Sequence, residues 1–452
     1  MLQTSLLSAV LVEPRLAAIW SDRALITAIL EVEASLAEVQ AEFGLAPPSL
    51  AAAIRAVAPE MFDLSAIADD ARRSAVPTIG VLATLEARLP PDLAWALHRG
   101  ATSQDLLDTA LALLLARSFR LIADDLAAVL DGFAAFAERH AGLVCVGRTY
   151  GQAAAATTFG ARAGQWALGL AEPAGELPEL LRLVPAVSLG GPVGVAAAFG
   201  DAAPALVSRL AARLGLAAEP LAWHGRRWRI ARAGAWLAGV VGAEAKVARD
   251  LCDLRANAVG EVAEGGLGSG GSSAMPHKRN PSWETAILAA HHLAPGLASS
   301  LLTAMAVEQE RGGGGWQAEW QALPALFSLA AGATSALARL APRLQPVDER
   351  IAANLAATAG LVFADRAAET LAPRLGRRRA QEAVAHAAES VRAGSAVTLA
   401  AALRAAGHED AAEACSLEAA TQAGARFALA AATRARETAR LLRCLSVEGR
   451  KT

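Results

Sequence analysis

A glycine-dense loop that ends in hydroxyls, one ammonium and one amide constrains this chain more than any other stretch. Residues Gly265–Pro281 read GGLGSGGSSAMPHKRNP, with five glycines among the first seven positions. The loop has no apolar periodicity, so it is neither a core helix nor a half-buried strand. Clustered glycines indicate mobility or a close approach of the backbone to a ligand. The composition therefore predicts a lid that closes over an anionic substrate.

Scarce residue types strengthen this interpretation. The chain has 42 Lys+Arg, but lysine occurs at only three positions and asparagine at only three, and Lys278 and Asn280 stand two residues apart in this loop. Lysine and arginine differ in hydration, donor geometry and ease of deprotonation, so lysine here indicates a chemical need. The alternative is a solvated, basic surface loop.

Two nucleotide-binding motifs are excluded in the same stretch. Gly266, Gly268 and Gly271 formally match G-x-G-x-x-G, but that motif requires a preceding strand and a following helix in a βαβ unit. Lys278 is flanked by His277 and Arg279, whereas a P-loop lysine stands between Gly and Ser/Thr. Neither nucleotide-binding motif is therefore predicted in this loop.

The composition predicts a helical, reduced, cytoplasmic protein. Hydrophobic residues make up 54% of the 452 residues but aromatic residues only 4%, so Ala and Leu carry the burial and favour close-packed helices. A net charge of −2 gives no basic field for nucleic acid. The four cysteines form no C-x-x-C pair, as in reducing compartments, and the N-terminus lacks the basic start and cleavage site of a signal peptide.

The pattern along the chain predicts an all-α fold in three domains with no strand of useful length. A seam of apolar residues at alternating spacings of four and three predicts a bundle helix over 105–140. Ser21 and Asp22 predict a helix start. Further helices are expected near 156–181, 230–262, 283–310 and 322–340. The expected domains are 1–104, 105–345 with the loop 265–281, and 346–452.

Residues 285–307 carry no formal charge and raise the question of a membrane span. The segment includes two histidines, a proline and several hydroxyl residues. A helix that is apolar all round also suits the centre of a bundle or an oligomer. We therefore expect burial between helices or subunits and no membrane partner.

Polar segments flank the predicted bundle helices. Thr102 and Ser103 precede the 105–140 helix, where they would cap it and leave backbone N–H groups for an anion. Residues 147–152 form a polar break that contains the only tyrosine, Tyr150. Three arginines crowd the segment 221–229, where they would face solvent or bind carboxylates.

Three of these blocks resemble the fumarase/aspartase superfamily, which includes adenylosuccinate and argininosuccinate lyases. They are HRGATSQDLLDT (98–109), GRTYGQ (147–152) and GSSAMPHKRNP (271–281). Within it, EQERGGGGWQAEW (308–320), Trp-His-x-x-Arg (223–227) and 354–375 look like the 3-carboxy-cis,cis-muconate cycloisomerase family of protocatechuate catabolism. The resemblance implies three helical domains, a central five-helix bundle, and a homotetramer in which three subunits build each active site.

The resemblance also implies roles for individual residues. Ser272 would be the acid/base at carbon, with Lys278 and Asn280 binding the carboxylate that takes up charge. The substrate would be a di- or tricarboxylate, and no metal or cofactor is implied. The implied substrate contacts are His98, Thr102, Ser103, Thr149, Tyr150, Gln152, Arg227, Ser273, Met275 and Arg311.

Two departures keep other functions open. Many superfamily members carry histidine at the place of Tyr150 or Ala153, and an acidic residue at the place of Trp228. Which group assists Ser272 is therefore open. The alternatives to the cycloisomerase are a C–N or C–O lyase of the same superfamily, which would release fumarate as adenylosuccinate lyase does, and an inactive scaffold of this fold.

Overall fold

The computed structural model describes residues 5–266 and 270–448, which fold mainly into helices. The all-α prediction is confirmed. The described part of the first hundred residues forms one α-helix of 21 residues and five shorter α-helices. Ser21 caps the longest of them by accepting a hydrogen bond from the Ala24 N–H at 3.2 Å. These helices are α1 (Pro14–Ile19), α2 (Asp22–Glu42), α3 (Leu50–Arg55), α4 (Leu64–Ser74), α5 (Thr78–Glu86) and α6 (Pro91–Ala94).

A bundle of long helices forms the centre of the molecule. Phe119 lies at its axis and makes edge-on ring contacts with Trp236 at 5.6 Å and Phe327 at 5.1 Å. The predicted seam is confirmed, because all seven of its residues are buried: Leu115, Phe119, Ile122, Leu126, Val129, Phe133 and Phe136. The helices of this region are α7 (Ser103–Arg139), α8 (Phe159–Ala174), α9 (Leu177–Leu183), α10 (Ala203–Leu214), α11 (Trp228–Arg255), α12 (Ser282–Thr303) and α13 (Gly315–Leu340).

The C-terminal part of the chain packs in two separate places. Residues between 361 and 415 enclose a small core of their own, whereas the last helix returns to the bundle and buries Ala432, Ala439 and Leu442 in the main core. The predicted segment 346–452 thus contains two packing units. Its helices are α14 (Asp348–Ala356), α15 (Ala364–Leu375), α16 (Arg377–Arg392), α17 (Leu399–Ala405), α18 (Glu409–Ala414) and α19 (Leu417–Glu448).

The expectation of no strands is wrong. An antiparallel hairpin pairs β1 (Val144–Thr149) with β2 (Gln152–Thr158), and a second short pair joins β3 (Val262–Glu264) to β4 (Leu344–Pro346). The hairpin follows α7 directly, and its β2 takes the first residues of the helix expected from 156. The second pair closes the neck of the loop that begins at Gly265.

Within the described part of the chain, two helices are long and apolar enough to cross a membrane by length and composition, Ser282–Thr303 and Gly315–Arg343. Within the second, 83% of the most apolar window is buried in the bundle, as expected for a core helix. In the first, only 33% is buried. Helix α12 therefore presents much of its uncharged surface on the outside of the chain.

Candidate active site

The first candidate block lies at the N-terminus of α7, where a buried carboxylate organises three chain segments. Asp105 accepts the Thr102 N–H at 3.0 Å, which ties down the start of the helix. The same carboxylate accepts the N–H groups of Gly190 at 2.9 Å and Gly191 at 2.7 Å. Thr102 and Ser103 are thus fixed at the positive end of a 37-residue helix, where an anion is favoured.

His224 completes this arrangement. Its Nε2 lies 2.7 Å from Asp105 Oδ1, and both side chains are almost completely buried. Its Nδ1 is buried without a hydrogen-bond partner among the described residues. Among the residues that the structure describes, Asp105 is thus the only hydrogen-bond partner of the ring.

Arg311 lies beside the same helix end. Its Nε donates to the side-chain amide oxygen Oε1 of Gln104 at 2.9 Å, and Nη2 donates to the Pro192 backbone carbonyl at 3.3 Å. The guanidinium is exposed, so it keeps N–H groups for a ligand. The structure thus brings Arg311 to the block that contains Thr102 and Ser103.

His98 stands just before the helix in a left-handed backbone conformation, with φ of 55°. Its Nδ1 lies 2.6 Å from Glu33 Oε1. Burial lowers the pKa of His98, but the charge and hydrogen bond of Glu33 outweigh burial and raise the pKa above its ordinary value. Glu33 is buried, so this pair anchors the segment that leads into α7.

Arg227 requires a correction as a substrate contact. Its side chain is buried at 1% exposure, donates to both oxygens of Asp108 at 2.7 and 3.1 Å, and donates twice to Glu319. Burial lowers the pKa of Arg227, but these two carboxylates raise it by more, so the charge persists. Four of its five N–H groups are used inside the protein. Arg227 holds α11 against α7 and α13, away from solvent.

The second block forms the tip of the β1–β2 hairpin. Tyr150 and Gly151 make the two-residue turn, both with positive φ, 52° and 75°, as hairpin turns of this length require. Tyr150 and Gln152 are exposed, and Thr149 lies at the edge of a cleft of about 1000 Å³. Tyr150 is therefore no packed core aromatic.

The base of the hairpin is held by a buried ion pair. Arg148 donates to Glu261 through two nitrogens at 2.6 and 3.1 Å, and Glu261 is fully buried. Burial raises the pKa of Glu261, but Arg148, Asn354 and Arg162 lower it by more. Glu261 directly precedes β3, so one carboxylate joins the hairpin to the root of the glycine-rich loop.

The third block is the loop itself, of which residues 267–269 lie outside the described part of the chain. Ser272 Oγ accepts the Met275 N–H at 3.1 Å, and the Lys278 N–H donates to the Met275 carbonyl at 3.0 Å. The Asn280 N–H donates to the Gly270 carbonyl at 2.7 Å and closes the loop. Ser273 is exposed, and so are Met275 and Lys278.

The three blocks do not meet within one chain. Helix α7 separates Ser103 from the hairpin by about 55 Å, at 1.5 Å per residue. Helix α11 begins beside Asp108 and ends near the loop, about 42 Å away. The hairpin tip and the loop therefore lie at the opposite end of the bundle from Thr102 and Ser103.

Three functional candidates were not predicted: Asp105, His224 and Glu261. Asp105 stands three residues after Thr102, the spacing of a capping box, so a signal existed for it. His224 lies in the Trp-His-x-x-Arg run, but nothing in the sequence indicated its contact with Asp105 or the contact of Glu261 with Arg148, because these partners lie 119 and 113 residues away.

Comparison with known proteins agrees with this architecture. A family described as "Lyase" matches residues 11–291. The 3-carboxy-cis,cis-muconate cycloisomerase of Bradyrhizobium diazoefficiens is 37% identical over 377 residues, covering 82% of this chain and 84% of the relative. Nitrosuccinate lyase of Streptomyces davaonensis is 39% identical over 374 residues, covering 80% and 79%. The crystal structure of the 3-carboxy-cis,cis-muconate lactonizing enzyme from Pseudomonas putida superposes with a TM-score of 0.89 at 32% identity, covering 96% of this chain and 99% of that one.

Proposed function

Because the chain belongs to the fumarase/aspartase superfamily of lyases, we propose that it is a 3-carboxy-cis,cis-muconate cycloisomerase. It would convert 3-carboxymuconate to 4-carboxymuconolactone in protocatechuate (β-ketoadipate) catabolism. The observation that carries this proposal is similarity along most of the chain to several proteins of that name.

The reaction defines what the site must supply. Lactonisation joins a carboxylate oxygen to an alkene carbon and places a proton on the neighbouring carbon. The reverse is a β-elimination that begins with removal of a proton next to a carboxylate. Both directions pass through an enediolate-like anion, so the site needs an acid/base at carbon and fixed donors for the developing charge.

We assign the proton transfer to Ser272. A serine hydroxyl is a weak base, so it depends on the Lys278 ammonium, on oriented N–H groups and on exclusion of water when the loop closes. Lys278 and Asn280 bind the carboxylate that takes up charge. The remaining carboxylates are bound by Thr102, Ser103 and Arg311 at the start of α7, and by groups of the hairpin and loop: Thr149, Tyr150, Gln152, Ser273 and Met275.

Association of chains would complete the site. The loop and the hairpin tip are exposed and about 40–55 Å from the start of α7, so they reach Thr102 only in another subunit. Helix α12 exposes Leu293 and Leu302 by almost half on an uncharged surface that subunit contact would bury. These features support a homotetramer with active sites shared between subunits.

The free cysteines and the carboxylate substrate suit a cytoplasmic enzyme. Cys145, Cys252, Cys415 and Cys444 are all unpaired, in keeping with a reducing compartment. We propose the cytoplasm as its location, with no nucleic-acid or membrane partner.

Ultraviolet absorbance tests the activity directly. Lactonisation breaks the conjugated diene of 3-carboxymuconate, so purified protein should remove the diene absorbance at a rate proportional to enzyme concentration. An Asn280→Asp variant of the same preparation serves as a control, because it places a negative charge against the substrate carboxylate. Unchanged absorbance with folded wild-type protein would refute the proposal.

A C–N lyase is the second candidate, favoured by the 39% identity to nitrosuccinate lyase. Elimination of nitrite from nitrosuccinate uses the same proton removal next to a carboxylate, but its product is fumarate. Incubation with each substrate separates the two activities. Fumarate from nitrosuccinate, with no loss of the muconate diene, would assign the chain to the lyase.

A further inference from the structure

His224 belongs to an arrangement that the assigned reaction does not use. Asp105 receives hydrogen bonds from the start of α7, from the turn at Gly190–Gly191 and from the His224 ring. The Gly190 turn and His224 lie 85 and 119 residues from Asp105 in sequence. One carboxylate thus fixes their relative positions, and His224 is the only side chain among its donors in the described residues.

The proton on the ring follows from its partner. An ionised carboxylate only accepts hydrogen bonds, so Nε2 of His224 carries the hydrogen. Nδ1 of the neutral ring is then an acceptor, and among the described residues it has no donor. The hydrogen-bonding capacity of this buried ring is therefore directed to Asp105 alone.

The turn that Asp105 holds has little room to move. A Cβ on Gly190 would lie 2.5 Å from the Ala222 side chain, and Gly191 and Gly194 have positive φ of 67° and 82°. The Pro192 carbonyl in the same turn accepts a hydrogen bond from Arg311. A shift of Asp105 would therefore move both the N–H groups near Thr102 and the support of Arg311.

We infer that His224 is a positioning residue for the carboxylate-binding end of the active site. By donating Nε2–H to Asp105, it orients the carboxylate that locks the turn 190–194 onto the start of α7. Thr102, Ser103 and Arg311 are thereby held in place before substrate arrives, which lowers the cost of ordering them on binding. The catalytic consequence of this positioning role rests on the proposed function.

Three substitutions of His224 distinguish a role in positioning Asp105 from a role in filling space. His224→Gln places an amide N–H as far from Cβ as the ring Nε2, so it preserves the bond to Asp105. His224→Asn reaches only the position of Nδ1, and His224→Ala reaches neither. His140→Gln is the matched control, since His140 lies at the other end of α7 and packs on Phe136.

Steady-state kinetics with 3-carboxymuconate give the first measurement. A misplaced binding group costs about 10- to 100-fold, so His224→Ala and His224→Asn should lose that much in kcat/KM. The loss should appear mainly in KM, because the substrate carboxylate is bound in both ground and transition states. His224→Gln and His140→Gln should stay within about threefold of wild type.

Either of two kinetic results would overturn the inference. If the His224→Ala and His224→Asn variants keep wild-type kcat/KM, the hydrogen bond from the ring is not required to position Asp105. If the Gln variant, folded by circular dichroism, is as poor as the Ala variant, Nδ1 contacts substrate and His224 does not act by positioning.

Amide hydrogen exchange gives a measurement independent of substrate. Peptides covering 100–106 and 188–196 should exchange faster in the Ala and Asn variants, and at the wild-type rate in the Gln variant. Equal exchange in all proteins would refute the positioning role. If wild-type protein leaves the muconate unchanged, the assigned reaction fails, and exchange still decides the role of His224.

Discussion

Ser272 and Lys278 are six residues apart on one loop, and the proposed mechanism has them act as a pair. Ser272→Ala should lower kcat by about 10²–10⁴, the usual range for a positioned proton-transfer group. Lys278→Arg keeps the charge but replaces a compact ammonium by a planar fork, so it should also fail. If Lys278 makes Ser272 ionisable, as we propose, a double-mutant cycle on kcat/KM should be strongly non-additive.

The neighbouring residue supplies the control for this pair. Arg279→Lys is the reverse substitution, lysine for arginine, at an exposed position of the same loop. Its kinetics should therefore stay close to wild type. Fully additive losses, or a Ser272→Ala enzyme near the wild-type rate, would show that the proton moves through another group, with Tyr150 the next candidate.

Glu244 is buried in the bundle core in a geometry that fits a protonated carboxyl. The Thr334 hydroxyl lies 2.6 Å from Glu244 Oε1 and donates to the Ala330 carbonyl at 2.8 Å. The single hydroxyl hydrogen of Thr334 cannot be donated to both acceptors. A protonated Glu244 that donates to the Thr334 oxygen accounts for both hydrogen bonds. Burial raises the pKa of Glu244 from 4.5 to about 8.

This burial predicts how stability depends on pH. Between pH 4.5 and about 8 the folded state holds a proton that the unfolded state has lost, so the free energy of unfolding falls as pH rises through this window. Glu244→Gln should remove this component and flatten the dependence, measured by denaturant unfolding at pH 5, 6.5 and 8. Glu172→Gln, at an exposed position of α8, should leave the slope unchanged. A Glu244→Gln slope equal to wild type would contradict the prediction.

Arg227 illustrates the limit of sequence reasoning at the residue scale. Its place in a Trp-His-x-x-Arg run marked it as a substrate contact, and its type allowed that role. Its carboxylate partners, Asp108 and Glu319, are 119 and 92 residues away. Whether an arginine is free depends on such long-range contacts, which no local pattern contains.

At the scale of elements, periodic patterns predicted well and the hairpin was missed. The α7 seam was recognisable because seven large apolar residues repeat at bundle spacing. Strand β2 reads Gln-Ala-Ala-Ala-Ala-Thr-Thr, with no alternation and with a residue that prefers helices. Pairing with Val144–Thr149 decides its conformation, so tertiary contact overrides local propensity.

The ion pair at Glu261 should control the stability of the hairpin and its neighbours. Glu261→Ala leaves the partly buried Arg148 and Arg162 without their shared carboxylate, and breaking such a pair costs about 3–5 kcal/mol. The measurement is the free energy of unfolding. Glu179→Ala, which breaks an exposed pair with Arg182, should change the free energy of unfolding far less, because solvent and salt screen such a pair. Equal losses in the two variants would show that Glu261 is no more than a surface partner.

At the scale of the whole molecule, the blocks were found from sequence because they use rare residue types in polar breaks. The distance between the first block and the other two follows from the lengths of α7 and α11. Both helices begin near the contact of Asp108 with Arg227 and run toward the other end of the bundle. A pattern gives the length of each helix but not which ends lie together. The contacts of Asp108 with Arg227 and of Arg148 with Glu261 supply that information.

Shared active sites make a prediction that no monomeric enzyme satisfies. Ser103→Ala with Thr102→Ala damages the first block, and Ser272→Ala damages the third, so each protein alone should be inactive. If each site takes these blocks from different chains, coexpression yields some sites with both blocks intact. Random assembly in equal amounts makes this about one site in four, so about a quarter of wild-type activity should return.

The matched control uses two lesions in the same block. Coexpressed Ser272→Ala and Lys278→Arg chains can never supply an intact loop, so their mixture should stay inactive. Light scattering on the active mixture should give a mass near four times 46.3 kDa, as for wild type. Absence of recovered activity in mixed tetramers would mean that each chain builds its own site. The loop and hairpin would then have to cross about 40–55 Å to reach Thr102, which loop closure alone cannot provide.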